Sequence, residues 1–252
     1  MNPRTKSLFH FTRTLDTLQH ILLEGFWPHY SLEDISWLNG GVPRLAWPMV
    51  SFCDIPISRL DEHTKFYGSY GVGLCRERWK PTGLNPIFYV SPDSILRDSL
   101  RELLLEVRKT QDLRSKSNAM VVLAHCKPLA GEMTVDGQKR RREFYSECEW
   151  RFTPWVEGVG GGKYGFLMKE EDFCNEHILK EANEERRKDD MLEFYPDDVR
   201  YLLVKSIEDV PRLARFINEK LHHYSSDALD VMKTSPSILP SCRRRTQCLQ
   251  PS

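Results

Sequence analysis

The chain has 252 residues, 40% of them hydrophobic, with 36 Lys+Arg against 36 Asp+Glu and therefore a formal net charge of zero. That length supports a real core in one large or two small domains, and the balanced charge excludes a global positive field that would gather nucleic acid, leaving only local basic grooves. No apolar run is long enough to span a bilayer, and Arg4 and Lys6 lead into no apolar signal core, so a cytoplasmic protein without membrane contact is expected. Seven cysteines without a CxxC pair fit reduced thiols, and the adjacent His125-Cys126 is not spaced for tetrahedral ligation, so no metal is expected.

Leu8-Phe9-His10-Phe11-Thr12 reads as a short, largely buried strand that holds an imidazole rigidly. His10 is then either a core histidine bonded to a backbone carbonyl or a group that orients a ligand. Thr12 or Thr14 caps a helix with apolar positions Leu15, Leu18, Ile21 and Leu22, which Gly25 closes. From Phe26 to Trp47, three Trp among Pro28, Gly40, Gly41 and Pro43 predict an ordered loop over the core. Pro48 to Cys53 is the next strand, ended at Asp54-Ile55-Pro56, and a helix follows from about Ser58 to Lys65. In Tyr67-Gly68-Ser69-Tyr70-Gly71-Val72-Gly73-Leu74 the glycines leave room for something to approach the backbone, or bend a strand over Val72 to Cys75. Neither a dinucleotide fingerprint nor a P-loop is present.

Ile87 to Val90 is a strand after the Asn85-Pro86 turn, and Ser94 to Val107 repeats its apolar residues at helical spacing. Met120 to Ala124 is a second apolar block, helix or strand; the polar runs Lys109 to Ser117 and Lys139 to Arg142 read as solvated loops or faces. From Glu147 to Phe152, period-two alternation puts Glu147, Glu149 and Arg151 on a charged face and Cys148, Trp150 and Phe152 on an apolar one. Either the charged face is simply wet, where an ion pair is worth little, or Glu149 accepts bonds from a ligand hydroxyl while Arg151 holds it ionised. A glycine-rich turn at Gly158 to Gly162, a surface helix over Lys169 to Asp190, a last strand at Asp197 to Val204 and a closing helix from Asp209 complete a single domain over residues 1–224. Residues 225–252, rich in Ser and Pro and carrying Arg243-Arg244-Arg245, read as a mobile tail.

In this order Leu-Phe-His-Phe-Thr at 8–12, Val50-Ser51-Phe52-Cys53-Asp54-Ile55-Pro56, the Tyr-Gly stretch at 67–73, Asn85-Pro86 and Glu147-Cys148-Glu149-Trp150-Arg151 resemble the AbiGi abortive-infection proteins of bacterial phage defence, over roughly residues 8–216. The early His-Phe-Thr and late Glu-x-Glu-Trp-Arg elements also resemble ADP-ribosyltransferase-like proteins of the DarT type. That resemblance implies an α+β fold with a split, twisted β-sheet core, flanking helices and a cleft for NAD. His10 would bond the nicotinamide ribose, Tyr67 or Tyr70 would stack on the nicotinamide with Tyr89 a third candidate, and Glu149 would stabilise the positive charge that develops on the ribose as nicotinamide leaves. The implied NAD-binding set is His10, Phe11, Thr12, Arg44, Ser51 and Arg151, with Arg44 directed at the pyrophosphate. The acceptor is open among protein, nucleic acid and water.

The AbiGi resemblance also implies a different role, the antitoxin half of a pair whose toxin resembles a nucleotidyltransferase. A third possibility is a binding module that senses a nucleotide without turnover.

Overall fold

The computed structural model describes residues 6–81, 83–135, 138–154 and 164–238. It mixes helices and sheet, the α+β class expected. Strand β1 (Ser7–Thr12) buries Leu8 and Phe9, and Thr14 caps α1 (Leu15–Glu24) by accepting the Thr17 N–H at 3.1 Å. Leu15, Leu18, Ile21 and Leu22 form the buried stripe of α1, and Gly25 closes it at φ +91°.

The Trp-rich span, read from composition as a loop, instead holds β2 (His29–Asp34) and the first half of β3 (Arg44–Cys53). Tyr30 faces Pro48 with pairing continuing on both sides, so the proline removes its own donor without ending the strand. Next come α2 (Leu60–Tyr67), β4 (Tyr70–Cys75), β5 (Leu84–Pro86), β6 (Phe88–Val90), α3 (Ile95–Lys109) and α4 (Leu113–Ala124). Most of the polar run 109–117, expected as a loop, lies in helix: Asp112 accepts the Ser115 N–H at 2.9 Å and starts α4, whose last turns carry the Met120–Ala124 block.

Strand β7 (Cys126–Pro128) runs parallel to β6, and β8 (Ala130–Val135) forms a hairpin with β9 (Gln138–Glu143). The basic run, expected as a solvated loop or face, is a strand on which Arg140 and Arg141 are exposed while Arg142 turns inward. Then follow β10 (Glu149–Phe152), β11 (Met168–Lys169), α5 (Glu170–Phe173) and α6 (Glu176–Asp189). The expected long surface helix is broken at Asn175, whose side chain caps α6 by accepting the His177 and Ile178 N–H groups. The chain continues through β12 (Val199–Val204), α7 (Asp209–Lys220), α8 (Ser226–Thr234) and β13 (Pro236–Ile238). Helix α8 and β13 occupy the start of the stretch expected as a tail, with Leu229 and Met232 buried, because Ser225 caps a helix that has apolar residues to bury. The Gly158–Gly162 turn and residues 239–252 lie outside the described residues.

The chain packs as two compact units interleaved in sequence. The first comprises Met1–Leu23, Ile55–Trp79 and Tyr195–Ser252, with strand order β13-β12-β4-β1. Its Tyr-Gly stretch is shaped by close approach of its own backbone. A Cβ on Gly68, which has φ +118°, would stand 2.2 Å from the Thr12 carbonyl oxygen, and one on Gly71 2.5 Å from that of His10. The second unit comprises Glu24–Asp54 and Lys80–Phe194. Here β3 is shared: β2 and β11 pair with its first half, and β10, followed by β5, with its second. Its core gathers Leu38, Trp47, Met49, Val90, Leu100, Leu104, Met120, Leu123 and Phe166.

Candidate functional site

The densest polar chemistry in the second unit surrounds Glu149. Residue Cys148 adopts a left-handed conformation (φ 45°), so the strand begins only at Glu149, set opposite Cys53 on β3. The strand's charged face is the buried one, which rules out the wet-face alternative that alternation left open: Glu149 is 6% exposed and Arg151 0%. Burial of charge is tolerable only with partners, and β3, β7 and β2 bring them. Ser51 Oγ donates to Glu149 Oε1 at 2.6 Å, Arg151 Nε donates to the same oxygen at 3.0 Å, and Lys127 Nζ donates to Oε2 at 3.1 Å. Arg151 also donates to the Ala124 carbonyl and, at 3.3 Å, to Glu33.

Lys127 extends the network to Glu147 at 3.0 Å, where Arg142 Nε donates as well, and it lies 4.3 Å from the centre of the Phe144 ring. Three carboxylates and three cations thus alternate as Glu33, Arg151, Glu149, Lys127, Glu147 and Arg142. Tyr89 adds its hydroxyl as acceptor for the Glu149 N–H at 2.8 Å. Burial pushes the Glu149 carboxyl up, but Arg151 and Lys127, with Ser51, outweigh it and hold it at about 2. Burial pushes Lys127 and Arg151 down, yet their carboxylate neighbours raise both above their ordinary values. The Tyr89 phenol is raised, first by burial. Ser51, Arg151 and Lys127 thus fill three of the about four acceptor positions of this buried carboxylate, which leaves little room for a ligand hydroxyl.

Of the sequence-derived candidates, Ser51, Tyr89, Glu149 and Arg151 are brought together here. Arg44, also in this unit, pairs with Glu170 at 2.6 Å. The others belong to the first unit. His10 is half-buried on β1 opposite Val72, Phe11 lies 6.2 Å from the His63 ring, and Thr12 is buried opposite Tyr70. Tyr67 ends α2 with its ring 6.0 Å from His63. The Tyr70 hydroxyl donates to Asp209 at 3.1 Å, an oxygen that Ser206 also donates to, and burial followed by that bond raises the Tyr70 phenol. The sequence reading put Glu147 on the charged face beside Glu149 but read Arg142 as part of a solvated run, and Glu33 and Lys127 escaped it. Their only local signal is a charge placed in an otherwise strand-like stretch, and nothing local pairs residue 33 with 151.

Residues 24–205 match the family model described as abortive phage resistance protein AbiGi, antitoxin. The chain belongs to the AbiGi family. The match spans β2 through β12 and so includes every member of the Glu149 network. An AbiGi relative, the abortive phage resistance protein AbiGi of Lactococcus lactis subsp. cremoris, is 28% identical over 226 residues, covering 77% of this chain and 88% of its own length. No solved structure matches this AbiGi chain. Among the described residues no helix is long and apolar enough to cross a membrane.

Proposed function

We propose that this AbiGi protein is the antitoxin of an abortive-infection pair, acting through contact with a toxin protein rather than by turning over NAD. The observation that carries this reading is the enclosure of Glu149: buried and ion-paired on both oxygens, its carboxylate holds β10 against β3 and β7. A fixed carboxylate that meets developing charge must face the reacting atoms. A network that is complete without a ligand instead fixes one arrangement of the strands. The antitoxin description of the matching family supports the same conclusion.

The ADP-ribosyltransferase-like reading draws on the ionised state of Glu149 and on the adjacent Ser51 and Arg151. It requires the buried carboxylate to become accessible to NAD. One experiment separates the two. The purified protein is incubated with NAD, with and without lysate of phage-infected cells, and nicotinamide is followed beside a Glu149→Gln control; growth rescue is scored in cells expressing the toxin. We expect rescue without nicotinamide release. Release that depends on Glu149 would replace this reading with an enzymatic one.

A further inference from the structure

In the second unit, the start of β2 and the face of α6 enclose an open pocket of about 320 Å3, lined by Trp27, His29, Glu176, Leu179, Lys180, Asn183 and Glu184. We propose that this pocket takes the guanidinium of an arginine side chain presented by a partner protein; as a partner site it rests on the antitoxin reading above.

Its walls are held in place before any ligand arrives. The Trp27 Nε1–H donates to the Asn183 carbonyl at 2.7 Å, and the Asn183 side chain accepts the Tyr30 N–H at 2.9 Å. His29 stands with its ring centre 4.3 Å from that of Trp27 and its Nδ1 2.8 Å from the Trp27 carbonyl oxygen. With Nδ1–H donating there, Nε2 carries a lone pair on an exposed ring, an acceptor for an N–H of a planar cation. The protein already uses this recognition once: the Arg187 guanidinium lies 4.9 Å from the Trp27 ring and pairs with Glu24 at 2.6 Å and, more loosely, with Glu184 at 3.9 Å.

The lining charge selects among ligands. At and beside the pocket Glu24, Glu176 and Glu184 outnumber Lys180 and Arg187, which disfavours phosphate and nucleic acid and favours a cation. Glu176, Lys180 and Glu184 follow at i, i+4 and i+8 along α6 and so share one helix face, with Lys180 between the two carboxylates. A planar fork that stacks on a ring and spans carboxylate oxygens is the property of arginine, not lysine. The volume, near the lower bound of roughly 300 Å3 for ligand sites, fits one side chain better than a dinucleotide.

The test follows the Trp27 indole N–H by two-dimensional NMR of the full chain, assigned with Trp27→Phe, during titration with N-acetyl-arginine amide, N-acetyl-lysine amide and guanosine monophosphate. We expect a saturable shift with the arginine amide, several-fold weaker binding of the lysine amide, roughly tenfold weakening by Glu184→Gln and tightening by Lys180→Gln, with the remaining spectrum unchanged. The opposite signs of the two substitutions separate recognition from damage to the fold. No saturable shift with the arginine amide, tighter binding of guanosine monophosphate, or an effect of the same sign from both substitutions would overturn the proposal. In the toxin-rescue assay, Glu184→Lys should abolish rescue by a folded protein, and full rescue by that variant would overturn the partner assignment. Failure of the native protein to rescue, with arginine binding intact, would instead strike only the antitoxin reading.

Discussion

At the scale of single residues, Arg151 joins three partners in the second unit: Glu149, Glu33 and the Ala124 carbonyl. Replacing it by Met leaves two carboxylates without their main cation, one of them fully enclosed. Loss of one partner of a buried pair costs about 3–5 kcal/mol, which at this chain length lowers the melting temperature by roughly 6–20 °C; thermal unfolding measures it. Acid should act at the same place. Glu149 titrates at about 2 in the fold against 4.5 ordinarily, so between these values the unfolded chain binds the proton first. The stabilisation is complete above 4.5 and is lost as pH falls toward 2. His125, lowered from 6.5 chiefly by burial, works in the same direction and begins near 6.5. Denaturant midpoints measured against pH should therefore decline in two stages, and Glu149→Gln should remove the lower one.

At the scale of elements, two junctions are sensitive. Gly68 joins α2 to β4 at φ +118°, and an added Cβ would meet the Thr12 carbonyl oxygen at 2.2 Å. Strain and overlap together should make Gly68→Ala destabilising by roughly 2–4 kcal/mol, read from denaturant unfolding, whereas Gly83→Ala, whose Cβ would meet nothing nearer than 3.4 Å, should cost only its backbone strain and therefore less. Asn175 is the cap that separates α6 from α5, and Asn175→Ala should cost about 0.5–2 kcal/mol. Its effect is also structural, since α6 carries Asn183 and Glu184 to the Trp27 pocket.

At the scale of the whole molecule, the zero net charge and sequence pI of about 7.1 place the protein where self-repulsion is weakest. Turbidity at fixed concentration should peak near neutral pH and fall on either side until acid unfolding begins. The same balance recurs inside the second unit, where the buried network has three carboxylates and three cations. Charge here acts within the fold, through paired buried groups, rather than as a global field.

The sequence by itself determined the α+β class, the capped α1 with its buried stripe and glycine stop, the β4 and β12 strands and the family to which the chain belongs. These depend on local periodicity, caps and motif order, all of which are contained within short windows. It missed β2, the first half of β3 and the start of α4, because aromatic and glycine content resembled a loop and polar residues hid a helix whose partners lie elsewhere. Only the tertiary structure decided which face of β10 is buried. Period two separates Glu149 and Arg151 from Trp150, but the side that points inward depends on Ser51, Lys127 and Glu33, which arrive from distant strands and supply the hydrogen bonds that make buried charge tolerable.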